Sequence, residues 1–378
     1  MGASETVVVG AGPAGLAVAA CLSARSVPHV LLEQTQLVGS SWHHHYRRLH
    51  LHTARAHSSL PLLPMPRDYP VYPSRAQVVS YLEDYAKHFK LAPRLGVAVR
   101  RIEPDGEGWK VSTDTQTLPA RNVVITTGYN QAPVIPEWPG RSEFNGDVRH
   151  ASQYLEASSY KGKRTLVVGA GNSGAEIALD LSENGVTTFL CIRSPINVMP
   201  RDLFGIPAQT IGVRLSAGPL WLKNWMMRTA STVKFGDLTR YGIRRSTRGP
   251  ATQIAVDGTI PLIDIGTIGA IKTGAIKVVP GIERFTPTGV RCVGGEELAL
   301  DAVVLATGYR TGLSGLLGGG ATAVIDAFGR PVKTPDTAAP GLYFVGFKNP
   351  LTGFLRQIGI DAEKVASAIS APGLATVR

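Results

Sequence analysis

The stretch VVVGAGPAGLAVAACL (7–22) decides the fold, because a β-branched run leads into a Gly-x-Gly-x-x-Gly turn at Gly10 and then into an Ala/Leu-rich helical pattern. The same order recurs in LVVGAGNSGAEIALDL (166–181), where the glycine pattern begins at Gly169. In such units the glycines let the backbone approach a dinucleotide pyrophosphate, and the helix N-terminus supplies positive potential. Two units in one chain predict an α/β fold with two Rossmann-like, dinucleotide-binding domains.

The composition is that of a globular protein with room for two hydrophobic cores. The chain has 378 residues, of which 44% are hydrophobic and 18% are charged. The net charge of +11 is spread along the sequence, and two anionic cofactors need basic neighbours, so we expect no nucleic-acid partner. No apolar stretch is long enough to span a bilayer, and a first strand near Thr6 leaves no room for a cleavable signal. We therefore expect a cytoplasmic protein without a membrane partner.

Neither the cysteines nor the histidines are spaced as a redox or metal centre. Cys21, Cys191 and Cys292 lie far apart and form no Cys-x-x-Cys pair, so we expect buried core residues rather than a disulfide or dithiol site. Histidines crowd one irregular segment, but no carboxylate or cysteine accompanies them at ligand spacing, so we predict a solvated loop and no metal. These histidines are His43, His44, His45, His50 and His57.

The end of the second strand in each unit indicates which nucleotide the unit binds. Glu33 ends the strand HVLLE, 18 residues after Gly15, about where an acidic side chain meets the ribose hydroxyls of an adenosine. Arg193 and Ser194 follow the strand VTTFLC, and an arginine in that place can pair with a 2′-phosphate. We therefore predict FAD in the first unit and NADPH, rather than NADH, in the second.

The order of the segments predicts an interrupted first domain. Two apolar runs that end in Thr127-Gly128 and in Thr307-Gly308 mark the expected crossings between the domains. The FAD domain is predicted to occupy residues 1–150, and an NADPH domain follows at 160–308. The return segment at 309–378 then completes the FAD domain.

Outside these units, helical periodicity predicts helices at 76–90 and at about 355–370. A long insert at 200–255 follows the second unit. Its Trp221 and Trp225 fit either the wall of an aryl pocket or a buried helical face.

A sequence motif between the two glycine turns, which we call the fingerprint, indicates which class of two-nucleotide flavoprotein this chain resembles. The segment FNGDVRHASQY places Phe144, Gly146, His150 and Tyr154 in the spacing FxGxxxHxxx[F/Y]. This resembles the signature of class B flavin-dependent monooxygenases, which carry it just before the second glycine turn. In that family the motif mostly links domains, so we assign His150 no acid or base role.

The resemblance covers nearly the whole chain and is closest to the YUCCA-type indole-3-pyruvate monooxygenases. The similar segments are Ser40-Ser41-Trp42, YRRLHLH (46–52), SLPLLPMP (59–66), IPLIDIGTIGAIKTGAIKV (260–278) and VVLATGYRT (303–311). After GLYFVGF the family usually has a Gly-rich segment, whereas this chain has KNPLTGFLRQIG, which resembles bacterial members of the wider class. That departure makes the identity of the substrate less certain to follow from the resemblance than the binding of a flavin.

The resemblance implies a reaction cycle in which NADPH reduces FAD, and O₂ then gives a C4a-(hydro)peroxyflavin that oxygenates a small organic substrate. YUCCA-type members imply oxidative decarboxylation of an aryl 2-oxo acid such as indole-3-pyruvate. N- or S-oxygenation of amines and thioethers is an alternative, as is an NADPH reductase or an H₂O₂-producing oxidase. His52 stands where related enzymes carry Asn or Asp near the flavin C4a, so it is the predicted catalytic residue.

The predicted cofactor-binding residues come from the two glycine turns, the strand ends that follow them, the Thr-Gly crossings and the C-terminal segment. They are Gly10, Gly12, Pro13, Ala14, Gly15, Glu33, Ser41, Trp42, Thr127, Gly128, Gly169, Gly171, Asn172, Ser173, Gly174, Arg193, Ser194, Thr307, Gly308, Gly346, Arg356 and Gln357.

Overall fold

The computed structural model describes residues 4–371 except 216, 336–338 and 351. The strands are β1 Ser4–Val9, β2 Val30–Leu32, β3 Val99–Asp105, β4 Gly108–Thr113, β5 Thr117–Ile125, β6 Ala132–Pro133, β7 Asp147–His150, β8 Arg164–Val168, β9 Thr187–Cys191, β10 Val198–Pro200, β11 Asp202–Leu203, β12 Ile206–Pro207, β13 Leu262–Asp264, β14 Ile276–Val279, β15 Ile282–Thr286, β16 Gly289–Cys292, β17 Glu297–Ala299, β18 Ala302–Leu305, β19 Tyr309–Arg310 and β20 Leu342–Phe344. The helices are α1 Pro13–Ser23, α2 Ser40–His43, α3 Arg75–His88, α4 Asn172–Glu183, α5 Ala208–Arg214, α6 Leu220–Phe235, α7 Pro250–Asp257, α8 Thr267–Lys272, α9 Leu313–Leu316 and α10 Phe354–Ser370.

The first glycine unit forms the centre of one sheet. Its strand order is β2-β1-β5-β4-β3, and β20 pairs with the C-terminal part of β5, beyond the stretch that pairs with β4. Strand β1 runs parallel to β2 and β5, with Val8 opposite Leu31 and Val124. Helix α1 is apolar on all sides and buried, since it packs between this sheet and α10. The return of the chain through β20 and α10 thus completes the layer that carries the first turn.

The second glycine unit forms a separate parallel sheet. Its order is β14-β9-β8-β18-β7, and α4 and α8 pack beside it. A three-stranded antiparallel sheet, β15-β16-β17, adds Phe285 and Cys292 to the core on the opposite side. These two sheets confirm the predicted fold class with two nucleotide-type units.

Strand β7 does not lie where the predicted boundary at residue 150 puts it. Its residues Asp147–His150 pair in parallel with β18, in the sheet of the second unit. The chain therefore leaves the first sheet before residue 147. The pairing is between segments more than 150 residues apart, so no local pattern signals it. The division into domains itself stays a prediction.

The insert at 200–255 folds into α5, α6 and α7. Trp221 and Trp225 are 70% and 62% exposed on α6, so the expected buried helical face is wrong for both. Within the described part of the chain, no helix combines the length and the apolar character needed to cross a bilayer.

Candidate functional site

Each of the three glycines in the first turn is required for a different structural reason. Gly10 has a φ of +104°, which L side chains rarely adopt. A Cβ on Gly15 would lie 1.8 Å from the carbonyl oxygen of Gly10, so only glycine lets α1 start this close to β1. A Cβ on Gly12 would meet no atom of the described residues within 4 Å. The turn therefore packs tightly against the protein at Gly15 and leaves space for a ligand at its middle glycine, Gly12.

The second turn repeats this arrangement. Gly169 has a φ of +110°, and a Cβ on Gly174 would lie 1.9 Å from the Gly169 carbonyl oxygen. A Cβ on Gly171 would again meet nothing within 4 Å among the residues that the structure describes. Gly12 and Gly171 are the N-caps of α1 and α4, and because glycine has no side chain, neither can cap the first N–H groups. Both turns fit a dinucleotide phosphate.

Glu33 lies beside the first turn, as its predicted role requires. Its buried carboxylate accepts a hydrogen bond from Ala11 N at 2.8 Å. The other oxygen accepts from the backbone N and the hydroxyl of Thr35, both at 2.9 Å. The carboxylate is thereby fixed at the end of β2, close to the backbone of the glycine turn.

The two Thr-Gly crossings lie next to the two turns. Thr126 Oγ1 donates toward the carbonyl oxygens of Val9 and Gly10, at 2.7 and 2.8 Å, and so holds the first turn onto β5. The sequence singled out Thr127 instead. The buried Thr127 Oγ1 has no hydrogen-bond partner among the described residues, which leaves a polar atom that a bound cofactor can satisfy.

The fingerprint histidine joins β7 to the second crossing. His150 Nδ1 accepts from Ser152 N at 3.1 Å, so the ring proton is on Nε2, which donates to Gly308 O at 3.2 Å. Burial lowers the pKa of His150 and favours its neutral form. The ring also meets Tyr309 edge-on, 4.9 Å between centroids. These contacts fix the crossing at Gly308 and match an architectural role.

Tyr154, the last residue of the fingerprint, contacts the second glycine helix. Its hydroxyl donates to Asp180 Oδ2 of α4 at 2.6 Å. The fingerprint therefore holds both the Gly308 crossing and α4.

His52 points to the second unit. Its Nε2 forms a short hydrogen bond with Oε1 of Glu176, which lies on α4. The side chains are 13% and 2% exposed, so the pair is almost fully shielded from water. Glu176 is not among the residues predicted from the sequence, although a carboxylate within the apolar run AEIALDL is a visible signal.

Two further titratable side chains surround Glu176. Burial lowers the pKa of His45, while the Glu176 charge acts in the opposite direction. Burial and the Glu176 charge together raise the pKa of Tyr46 well above its ordinary value, so its phenol stays protonated. Ser173, a predicted cofactor residue, also lies beside the Tyr46 hydroxyl. Residues from segment 45–52 thus surround the start of α4.

The predicted C-terminal residues lie near the first turn or at the start of α10. A Cβ on Gly346 would come within 3.0 Å of Ala14 Cβ, so the segment after β20 packs tightly on α1. Arg356 and Gln357 are in the first turn of α10, and Gln357 donates to Asp361 at 2.8 Å.

Helix α2, which contains Ser41 and Trp42, is tied to the first turn. Its N-cap residue Gly39 donates from N to Ala11 O at 2.9 Å. Trp42 packs against the core around α1. This places α2 at the turn, and cofactor binding by Ser41 and Trp42 stays a prediction.

At the second unit, Arg193 is exposed directly after β9, and a Cβ on Gly281 would lie 3.2 Å from its Cγ. Ser194 beside it is also exposed. Asn172 Oδ1 accepts from Ile263 N at 2.7 Å, so this residue holds β13 against the turn. Gly169 N of the turn donates to Cys191 O at the end of β9, two residues before Arg193. The role of Arg193 in NADPH binding stays a prediction.

Comparison with known proteins identifies the family. Residues 7–203, about half of the chain, match the family described as pyridine nucleotide-disulphide oxidoreductase. The rice (Oryza sativa subsp. japonica) indole-3-pyruvate monooxygenase YUCCA1 is 39% identical over 90% of this chain and 86% of its own length.

Two solved structures share the fold. A flavin-containing monooxygenase from Stenotrophomonas maltophilia has a TM-score of 0.75 and 22% identity, covering 98% of this chain and 99% of its own. The bacillithiol disulfide reductase Bdr of Staphylococcus aureus has a TM-score of 0.71 and 17% identity, covering 98% of both chains.

The fold and the two turns therefore define a flavoprotein with a nicotinamide site. The chain belongs to the pyridine nucleotide-disulphide oxidoreductase family and, within it, to the YUCCA group of flavin monooxygenases. It is an FAD- and NADPH-dependent monooxygenase, as the resemblance implied.

Proposed function

We propose that this monooxygenase oxidatively decarboxylates an aryl 2-oxo acid of the indole-3-pyruvate type. The observation that carries the proposal is the 39% identity, over 90% of the chain, to a protein named for that reaction. N- or S-oxygenation is the alternative, because the C-terminal segment differs from that of the YUCCA-type enzymes. The test below includes it.

The overall reaction balances with one O₂ and one NADPH. The bond between C1 and C2 of the 2-oxo acid breaks, and C1 leaves as CO₂. One oxygen atom of O₂ enters the shortened carboxylic acid and the other leaves as water, with the two electrons supplied by NADPH. For indole-3-pyruvate the organic product is indole-3-acetate.

The first glycine turn would hold FAD and the second NADPH. Glu33, fixed beside the first turn, would meet the ribose of FAD, and Thr127 would offer its unsatisfied hydroxyl. Arg193 would pair with the 2′-phosphate of NADPH. When bound, the flavin supplies the redox chemistry: it takes hydride from NADPH and activates O₂. The chain supplies binding, orientation and the exclusion of water.

His52 is the side chain that we assign to the reaction, and Glu176 is its positioning residue. Glu176 Oε1 accepts the hydrogen of His52 Nε2, which fixes the ring plane and leaves Nδ1 to exchange a hydrogen bond with a bound ligand. Because the pair is shielded from water, its geometry is held without competition from solvent.

A dithiol mechanism, as in a disulfide reductase, has little support in this chain. Cys21, Cys191 and Cys292 are all buried. Burial raises the pKa of Cys21 and of Cys191 to about 11, so neither is a thiolate at neutral pH. The fold that the chain shares with a bacillithiol disulfide reductase does not supply the missing thiol pair.

The expected cytoplasmic location stays a prediction.

The test is product stoichiometry with the FAD-loaded enzyme. NADPH consumption, H₂O₂, CO₂ and organic product are measured with indole-3-pyruvate, with a tertiary amine and with a thioether. We expect about one indole-3-acetate and one CO₂ per NADPH with the 2-oxo acid. The yield should be unchanged when catalase is added, because free H₂O₂ would itself decarboxylate a 2-oxo acid. An N-oxide or sulfoxide as the only oxygenated product would move the assignment to the alternative, and H₂O₂ in place of any organic product would leave an oxidase.

A further inference from the structure

Three basic residues from distant parts of the sequence belong to segments that meet at the start of α10. His57 ends the short 3-10 turn Arg55–His57, Arg214 ends α5, and Arg356 is in the first turn of α10. We call them the basic cluster. None of the three belongs to a glycine turn or to the strand that follows one.

A single buried side chain holds the three segments together. Gln209 of α5 is 7% exposed, and its Oε1 accepts from Ala54 N at 2.7 Å. Its Nε2 donates to Thr352 O at 2.7 Å. A Cβ on Gly353 would lie 2.2 Å from Gln209 Nε2, so the start of α10 is in direct contact with α5. The basic cluster is therefore carried by a fixed framework, with both polar ends of Gln209 used.

The same framework continues along α10. A Cβ on Gly359 would lie 3.3 Å from Pro61 Cδ, which places the next turn of the helix against the loop that follows His57. Ser58 Oγ and Thr53 Oγ1 share a hydrogen bond of 2.8 Å and close that loop on itself. The loop thus presents His57 at one position relative to α10.

The charges in the basic cluster are uncompensated. Burial lowers the pKa of His57, and the positive charges of Arg356 and Arg214 lower it further, so the imidazole is neutral at pH 7. Across residues 4–371, with the gaps given above, no carboxylate forms an ion pair with either guanidinium. Two like charges held near one another by a rigid framework attract an anion.

We propose that Arg214, Arg356 and His57 form the binding site for the carboxylate of the 2-oxo acid substrate. The inference rests on the proposed function and names the residues that select its substrate. A guanidinium binds a carboxylate through two parallel N–H···O bonds, which fixes both its position and its plane. Neutral His57 adds one donor or acceptor. Arg356, which the resemblance placed among the cofactor residues, is thereby reassigned to the substrate.

Direct binding tests the proposal. The dissociation constant of indole-3-pyruvate is measured by difference absorbance of the FAD-loaded enzyme, for wild type and for Arg356→Gln, Arg214→Gln and Arg356→Lys. We expect each Gln variant to bind about 10- to 100-fold more weakly, because a charge-assisted pair is lost. Arg356→Lys retains the charge without the paired geometry and should lose less. The methyl ester of the same acid should bind all variants alike.

Arg121→Gln is the matched control, since Arg121 is an exposed arginine on β5 and its loss changes the net charge equally. FAD content and NADP⁺ affinity are recorded for every variant. If a Gln variant loses FAD or NADP⁺ while its affinity for the acid is unchanged, the basic cluster binds a cofactor phosphate and the proposal is wrong. Unchanged affinity in all Arg variants contradicts it as well.

Failure of the proposed function gives a different pattern. If wild type binds indole-3-pyruvate without turning it over, and the Gln variants bind it more weakly, the carboxylate site stands and the reaction is wrong. If wild type turns the acid over and the Gln variants match it in affinity and KM, the reaction stands and the site is wrong.

Discussion

His52 and Glu176 are joined by a short hydrogen bond between Nε2 and Oε1, across 124 residues of sequence. The bond ties the segment YRRLHLH (46–52) to the helix of the second glycine turn. Through this contact, the position of the candidate reactive side chain His52 is fixed relative to the nucleotide-binding helix α4. If His52 serves the reaction, its orientation depends on Glu176.

A double-mutant cycle measures this dependence. Glu176→Ala should destabilise the protein by about 3 kcal/mol, because it removes the partner of a buried polar ring. His52→Ala in the Glu176→Ala background should cost far less than in wild type, with a coupling free energy of about 1–3 kcal/mol. Chemical denaturation of the four proteins checks both values.

The same cycle separates positioning from stability. Glu176→Gln keeps a hydrogen-bond acceptor for His52 and should retain more activity than Glu176→Ala, mainly through kcat. Additive free energies, or equal kcat in both Glu176 variants, would show that the pair has no shared role.

One added methyl group in each glycine turn should show which cofactor that turn binds. Gly15→Ala places a Cβ 1.8 Å from a carbonyl oxygen and should abolish FAD retention, whereas Gly174→Ala, at 1.9 Å, should weaken NADP⁺ binding and leave FAD bound. Gly269→Ala on α8 is the control, since its Cβ would meet none of the described atoms within 4 Å. FAD absorbance per protein and NADP⁺ titration give the readouts. Loss of FAD in the Gly174 variant alone would reverse our assignment of the two turns.

Arg193 should set the preference for NADPH over NADH. Arg193→Ala removes the cation placed for the 2′-phosphate, so kcat/KM for NADPH should fall about 10- to 100-fold. NADH lacks that phosphate, so its kcat/KM should hardly change. Steady-state kinetics with both nucleotides decide this, and an equal loss with both would place Arg193 outside the phosphate site.

His150 should contribute a pH-dependent part of the stability. Its pKa lies below the ordinary 6.5 because burial favours the neutral ring. The unfolded state therefore takes up a proton first as the pH falls below about 6.5, and the folded state loses stability down to the lower folded pKa. His150→Asn should remove that part of the pH dependence and leave stability above pH 7.5 lower by about 1 kcal/mol, from lost hydrogen bonds.

Thermal unfolding of wild type and His150→Asn between pH 5 and 8 measures the difference. The comparison is needed because the pKa of His45 is also lowered, and that ring acts in the same pH range in both proteins. Parallel stability curves would contradict the assignment of a neutral, architectural His150.

The parts of the fold that the sequence predicted are those that local chemistry determines. Both glycine turns and Glu33 follow from short patterns, and α3 and α10 from helical periodicity that the observed helices Arg75–His88 and Phe354–Ser370 confirm. The sequence did not indicate that β7 pairs with β18, because strand pairing depends on contacts that no window of sequence contains.

The candidate site shows the same limit. Thr126, Glu176 and Gln209 each act through partners far away in sequence, so their roles emerge only when the chain is folded. Trp225 shows the reverse case, since an apolar residue in a helical pattern is exposed because nothing in the described fold covers that face of α6.

The most direct test of the central claim is isotope incorporation. The FAD-loaded enzyme is supplied with NADPH, indole-3-pyruvate and ¹⁸O₂, and the indole-3-acetate is analysed by mass spectrometry. Our account predicts one ¹⁸O atom in the carboxylate of each product molecule, with CO₂ released from C1. Catalase is added in a parallel reaction, because H₂O₂ released from ¹⁸O₂ would itself decarboxylate the 2-oxo acid and carry ¹⁸O into the product. Indole-3-acetate without ¹⁸O, or labelled product that disappears when catalase is added, would mean that the enzyme does not transfer oxygen to the acid, and the assignment as a 2-oxo acid monooxygenase would be wrong.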